Sequence, residues 1–422
     1  MKRSKEGYYH NENHKVRRER PRGVRRRFVW GLFDVVMLVV SLLAAVCLLA
    51  GLLAKVVSPE RVAVLAFAGL FYPIIYLVNL FCALWWVVRW SRWVWLSAAM
   101  LLVGANSMGL FYRSDVSTKP VAVDRSRDDV VVATYNVMNF SDASAEEEVE
   151  SFDRVAEWVN NKGIQLLCLQ EAHFFTEEAF DSFRRSLKKL SYGYFINGYT
   201  GEESDITGSG YALFSAWPIV RRGVASADSL AVYSVWADIK MGRDSIRVFN
   251  NHLESTGISL EERSTTLHPA IARDTLAGEK LLTIADKVVK NYAQRAVQAE
   301  QVAEAVEQSP HPVVVCGDFN DTPVSYVYRT IRRAGNLVDS FVEKGRGVEH
   351  TFKGLYNLFR IDYILADKEA FEVKSYDSYD EPMSDHKPVV VRLGRDEKSV
   401  SNALYRMKVK VRGLLKNQSS IL

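Results

Sequence analysis

The chain has 422 residues, 48% of them hydrophobic, and a formal net charge of +4; at roughly 100–200 residues per domain it has room for two or three units. Its four cysteines show neither zinc-site nor framework spacing, which excludes a disulfide-stapled miniature fold and a thiolate metal centre. Apolar residues and charge are both unevenly spread, and that unevenness divides the chain.

Residues 1–27 carry eleven Lys or Arg against three Glu, a net of +8, and read as a basic cytoplasmic segment. Residues 28–112 read as a three-span transmembrane region, with spans at Trp30–Val57, Val62–Val88 and Trp93–Tyr112. Each is near or above the roughly 20 apolar residues that cross a bilayer as a helix. Pro73 falls inside the second run, which a span tolerates when neighbouring helices satisfy the freed backbone groups. Trp85, Trp86, Trp90, Trp93 and Trp95 crowd the turn before the third, as interfacial aromatics do. A secretory signal peptide is the rival reading of the first run, but the run is too long and two more follow it. The positive-inside tendency keeps the basic head and the Arg89–Arg92 turn in the cytoplasm. Three crossings then place the remainder outside, on the periplasmic face in a bacterium.

A polar linker occupies residues 113–129, and residues 130–394 read as one α/β catalytic domain. Strands are expected at Val130–Tyr135, Gln165–Leu169, Tyr211–Ser215, Ser245–Asn250, Pro312–Cys316 and Ile361–Leu365. Helices are expected at Glu146–Asn161, Thr176–Leu190 and near Ile271–Gln308. Residues 113–394 hold 32 basic and 43 acidic residues, a net of −11, which removes the electrostatic footprint of a typical nucleic-acid binder. Cys168 and Cys316 fall on strands and read as small buried hydrophobes, or as a bridge if the domain faces an oxidising compartment. Residues 395–422 form a basic tail, read as solvated or as lying on an anionic membrane surface.

Polar residues cluster where these strands end. VVVATY runs into Asn136, QLLCLQ into Glu171, RVFN into Asn251 and His252, and VVVC into Asp318 and Asn320. Asp362 lies in RIDYIL, and Asp385 and His386 open SDHKPVVV. One acidic strand end is usually a turn or a cap. Six such clusters meeting on one rim would gather carboxylates, amides and imidazoles in a single pocket. Oxygen ligands without thiolates suit a hard cation, Mg²⁺ or Mn²⁺. Phosphoester hydrolysis uses that set: a cation for the phosphate charge, a carboxylate for the attacking water, and donors for the charge that develops.

The blocks TYNVMNF, LLCLQE, GSGYALFSAWPIV, FNNHLES, GDFNDTP, RIDYIL and SDHKPV occur in that order from Thr134 to Val389. In them the chain resembles the endonuclease/exonuclease/phosphatase superfamily, whose fold is a four-layer α/β sandwich like that of pancreatic deoxyribonuclease. The resemblance implies that Glu171 is the principal metal ligand with Asn136 beside it, and that Asp385 is a further ligand opposite. It implies that Asp318 positions or deprotonates water, that Asn320 holds phosphate or that water, and that Asp362 orients His386 against the scissile phosphate. His252 would bond the phosphate or assist the leaving group. Asn251, Arg263 and Arg360 are expected to contact substrate, Arg263 from a long segment after Ser255 that reads as a rim or as a solvated helix face. Met138 stands where several branches carry a second carboxylate, which puts a second metal position in doubt.

The expected function is therefore that of a membrane-anchored, divalent-metal-dependent phosphoester hydrolase acting on a lipid head group or another membrane-proximal phosphoester. A tethered extracytoplasmic nuclease is the alternative. A non-catalytic binding module is a third reading, against which the full set of polar strand ends argues.

Overall fold

A computed structural model describes residues 31–114, 129–141, 148–203, 205–206, 208–228, 231–255, 277–354 and 357–395. The basic head, most of the linker, the segment containing Arg263 and the C-terminal tail lie outside the described residues.

The apolar region opens with α1 (Leu32–Ala54), which is long and apolar enough to cross a membrane. Its lone carboxylate, Asp34, is buried and paired with Arg89. The second expected span is broken into α2 (Val64–Leu70) and α3 (Tyr72–Val88), bent by 71°. Pro73 lies in the first turn of α3, where a missing N–H costs nothing, so it starts a helix instead of interrupting one. The third, α4 (Val94–Met108), has 15 residues and so runs roughly 22 Å against a bilayer core of roughly 30 Å. The described helices thus amount to one candidate span, or up to two if the bent pair counts as one, and not the three expected. The extracytoplasmic placement rested on three crossings, and the helices do not supply that count.

The α/β half is built from β2 (Val130–Asn136), α5 (Glu148–Lys162), β3 (Leu166–His173), α6 (Glu177–Ser186), β4 (Tyr192–Asn197), β5 (Ser209–Ser215), β6 (Ile219–Ala227), β7 (Val232–Met241) and β8 (Asp244–His252). It continues through α7 (Ala277–Glu307), β9 (Val313–Asp318), α8 (Tyr326–Ala334), β10 (Leu337–Asp339), α9 (Ser340–Lys344), β12 (Asp362–Asp367), β13 (Phe371–Ser378) and β14 (Val389–Arg395). A two-stranded ribbon, β1 (Tyr112–Arg113) with β11 (Gly347–Val348), ties the end of the apolar region to this half.

Two six-stranded mixed sheets, ordered β13-β14-β2-β3-β5-β4 and β10-β12-β9-β8-β7-β6, face one another. Strand alternation explains why β2 is apolar throughout. Val130 and Val132 enter the core between the sheets, with Leu166, Val248 and Val314, while Val131 and Ala133 pack outward beneath α5 and α6. α7 and α8 cover the other sheet over Phe249, Val315 and Leu365. The result is the expected helix–sheet–sheet–helix sandwich. Cys168 and Cys316 are buried in the central core as free thiols.

The apolar helices pack directly on this sandwich. Ala66 and Phe67 of α2 meet Val288 and Tyr292 of α7, and Val324 joins Leu48, Tyr72 and Phe111 in one cluster. Gly69 is required there, because a Cβ would lie 2.2 Å from the Val324 carbonyl oxygen.

Candidate active site

Parallel pairing carries the functional strand ends to one rim. β2 and β3 run parallel, and so do β8 and β9, with His252 opposite Asp318. β12 runs antiparallel to β9 and contributes its first residue, Asp362, also opposite Asp318. Gly317 fits between them at φ +125°, where a side chain would strike the Asn251 backbone within 2.1 Å. Glu171 has φ +50° at an irregularity in the β3–β5 pairing, a non-glycine strain that turns its carboxylate out of the sheet alternation.

These side chains form one connected chain. Asn136 Nδ2 donates to Glu171 Oε1 at 2.9 Å and to Asp318 Oδ2 at 3.3 Å. His252 Nε2 lies 3.3 Å from Glu171 Oε1 and 3.9 Å from Asp318 Oδ2. His386 Nε2 lies 3.7 Å from Asp318 Oδ2, and its Nδ1 lies 3.0 Å from Asp362 Oδ2. Burial pushes Asp318 up to about 6, with the Asp362 charge adding to it and His386, His252 and the Asn320 backbone amide opposing it. Burial works against a charged His386 ring, but the carboxylates of Asp362 and Asp318 outweigh it and raise the group to about 10. The buried acid is thus ionised at neutral pH beside a ring held as imidazolium.

A cleft of about 250 Å³ opens beside Glu171 and His252, walled by Tyr199, Tyr211, Val232, Tyr233 and Leu253. No Lys or Arg is among the described residues that line it. Asp318, Asp362 and His386 offer atoms within 4.8 Å of one another, a carboxylate–histidine group able to hold a metal ion. The doubly engaged His386 ring suits it poorly as a ligand. Glu171 and Asp318 fit better, because their carboxylate oxygens converge on one amide donor from Asn136 and both are hard oxygen ligands. Asn136 joins such a set by presenting its oxygen, which here accepts from the Met138 amide.

The family described as endonuclease/exonuclease/phosphatase matches residues 133–386, more than half of the chain. The chain belongs to the endonuclease/exonuclease/phosphatase family. Residues 34–111 match a domain of unknown function. No curated protein matches. Among solved structures, the chain is similar to an endonuclease/exonuclease/phosphatase from Bacteroides vulgatus, at 21% identity and a TM-score of 0.44 over 64% of this chain and 99% of that one. It is similar to the human Nocturnin catalytic domain with bound sulfate, at 19% and 0.44 over 64% and 96%. It is also similar to sphingomyelinase C from Streptomyces griseocarneus, at 18% and 0.39 over 64% and 99%.

Of the residues expected at the site of this family member, the structure brings together Asn136, Glu171, His252, Asp318, Asp362 and His386. Asn320 reaches the rim with its Nδ2 donated to the Leu253 carbonyl at 2.9 Å, which leaves its oxygen as the free end. Asp385 adjoins His386 in sequence, its charge helps to raise the ring, and its backbone oxygen accepts from the Lys353 amide. Two expectations are corrected. Arg360 is fully buried, donates twice to Asp339 and once to the Leu110 carbonyl, and so braces the domain against the apolar region instead of meeting substrate. Asn251 is fully buried between Ser234 and the Cys316 carbonyl. Arg263 lies outside the described residues.

Sequence reasoning missed the supports beneath the site. Gln170 donates to Asn250 at 2.6 Å across the sandwich and to Thr134 at 3.0 Å, a polar seam below Glu171. Ser384 Oγ donates to the Asn136 carbonyl at 2.7 Å and accepts from the His386 amide at 3.0 Å. Thr351 Oγ1 accepts from the amides of Ile361 and Asp362. Ser384, Gln170, Asn250 and Thr134 lie inside the quoted blocks without a role having been read for them, and Thr351 lies outside every block.

Proposed function

We propose that the chain is a membrane-anchored, divalent-metal-dependent phosphoester hydrolase, with Mg²⁺ or Mn²⁺ as the cation and a lipid head group or other membrane-proximal phosphoester as substrate. The observation that carries the reading is the unbroken carboxylate–imidazole chain Glu171–His252–Asp318–His386–Asp362 on one rim. Glu171, Asn136 and Asp318, with Asp385 as the further expected ligand, would hold the cation, which when bound would supply charge neutralisation at the phosphoryl oxygens. Asp318 takes a proton from the attacking water, and Asn320 offers its side-chain oxygen to orient that water. His386, fixed by Asp362, donates from Nε2 to a phosphoryl oxygen. The water oxygen bonds to phosphorus as the phosphorus–ester bond breaks, the leaving oxygen takes up a proton from solvent while Asp318 returns its own to solvent, and in this reading His252 hydrogen-bonds the leaving oxygen.

Two observations favour a compact, membrane-proximal ester over a nucleic acid. The described cleft lining contains no cation to follow a polyanion, and α2 packs on the loop that begins three residues after Asp318, with Thr322 donating to the Gly69 carbonyl at 3.3 Å. The test is Mg²⁺-dependent product release by the full chain from sphingomyelin, phosphoinositide, simple phosphate esters, RNA and plasmid DNA, with Glu171→Gln as control. Lipid or simple esters are expected to dominate. Faster turnover of plasmid DNA than of every lipid would replace this substrate class with the nuclease reading.

A further inference from the structure

A second cavity lies away from the active site. It encloses about 790 Å³ where the ends of α1 and α4 meet α8. Lys55, Arg113, Arg329, Arg332 and Arg333 line it, and no Asp or Glu does. The contacts of these cations are with neutral groups: Lys55 with the Ser107 hydroxyl at 2.6 Å, Arg329 with the Lys55 carbonyl at 3.1 Å, and Arg332 with the Leu337 carbonyl at 3.2 Å. No carboxylate among the described residues pairs with any of the five.

Helix ends explain part of this charge. α1, α4 and α8 all terminate here, and at roughly half a negative charge each they offset about −1.5 of +5. Among the described residues the remaining excess, about +3.5 on the same arithmetic, is a like-charge repulsion that a bound anion relieves. Burial and the adjacent Arg333 both lower the Arg329 pKa, as expected of cations crowded together without a counter-ion among the described residues. The walls are amphipathic: Leu52, Val56 and Leu110 line the same space, and Leu53 and Val56 are about half exposed on the outer face. The apolar run of α1 ends at Lys55, so on the proposed membrane attachment the cavity stands at head-group depth.

We propose that this cavity is a binding site for the phosphate group of an anionic phospholipid, with the Arg and Lys cluster holding the head group and the Leu53–Val56 face receiving the acyl chain. The site is separate from the catalytic rim but joined to it, since Pro323 on its wall belongs to the loop that follows Asp318 and Asn320. Bound lipid therefore ties the anchor, α8 and that loop into one unit.

The test is native mass spectrometry of the full-length protein in neutral detergent, titrated with phosphatidylglycerol or phosphatidylcholine of matched chains. One phosphatidylglycerol per chain is expected, retained roughly tenfold or more over phosphatidylcholine. The preference should collapse in Arg329→Gln/Arg333→Gln and persist in Arg221→Gln, a surface change elsewhere. Arg333 is exposed, so Arg333→Gln alone gives a folded partial loss if the double variant fails to fold. Equal retention of the two lipids, or a preference unchanged in the variants, would overturn the proposal. Displacement of the lipid by inorganic phosphate, with phosphate retained as tightly, would make this a free-phosphate site and overturn the lipid assignment.

Discussion

Asp318 and Glu171 differ in burial, and that sets what each can do. Asp318 is 1% exposed, touches two imidazoles and an amide, and is pushed up to about 6, a value fit for taking a proton near neutrality. Glu171 has 29% of its side chain exposed at the cleft mouth and stays open to a cation and solvent. Asp318→Asn and Glu171→Gln should each lower kcat/KM on the order of 10²–10⁴-fold while leaving the circular dichroism melt near that of the parent. The Glu171→Gln defect should shrink as [Mg²⁺] rises, because excess cation compensates for a weakened ligand set, whereas the Asp318→Asn defect should persist at saturating cation because the base is lost along with the ligand. His386 gives the pH test. Its ring, raised to about 10 from an ordinary 6.5, contributes stability that is fully present below 6.5 and is lost as pH rises through about 10. In the metal-free protein the ring should remain protonated at neutral pH by NMR, and Asp362→Asn should bring its titration down toward the ordinary value. A parent ring titrating near 6.5 would remove the imidazolium from the scheme.

At the scale of elements, the legible parts were those whose chemistry is local. Val130–Asn136 and Val313–Asp318 are apolar runs ended by a polar residue, and both are central strands buried on two faces. β6 and β13 escaped notice because an edge strand reads IVRRGVASA and an alternating one FEVKSYDS, sequences in which solvent decides half of the residues. Asn251 misled for a geometric reason: adjacent strand residues face opposite ways, so beside His252 it points into the sheet packing. Gln170 and Asn250 were invisible because their partners come from the opposing sheet, 80 residues away. Least legible was the contact between α2 and the Asp321–Ser325 loop, which depends on Gly69 lacking a side chain. Gly69→Val should push the helix off the Val324 carbonyl and cost ~1–3 kcal/mol as overpacking. Amide exchange in the Asp321–Ser325 loop should rise and turnover should fall with it. Protection unchanged from the parent would mean that the helices do not brace the loop.

For the whole molecule, the question is what the apolar helices contribute to a site that residues 133–386 already contain. The packing of Ala66 and Phe67 on α7, the Thr322 contact and the Arg360 bond to Leu110 fix the sandwich against α1–α4 as one body. On the proposed membrane attachment, such a rigid anchor would restrict which phosphoesters the cleft meets: those in the same bilayer would stay at an effective concentration on the order of millimolar, while those in another membrane would arrive only by collision. The net charge of −11 on residues 113–394 opposes a search among anionic surfaces and adds to this confinement. On the proposed membrane attachment, enzyme reconstituted in the same vesicles as a phosphoester lipid should hydrolyse it at least about tenfold faster than the same lipid presented in separate vesicles. A water-soluble phosphate ester should turn over at one rate in both arrangements, since its access does not depend on a shared membrane. Equal rates for the lipid in the two arrangements would leave the helices a bracing role alone and detach the substrate class from the anchor.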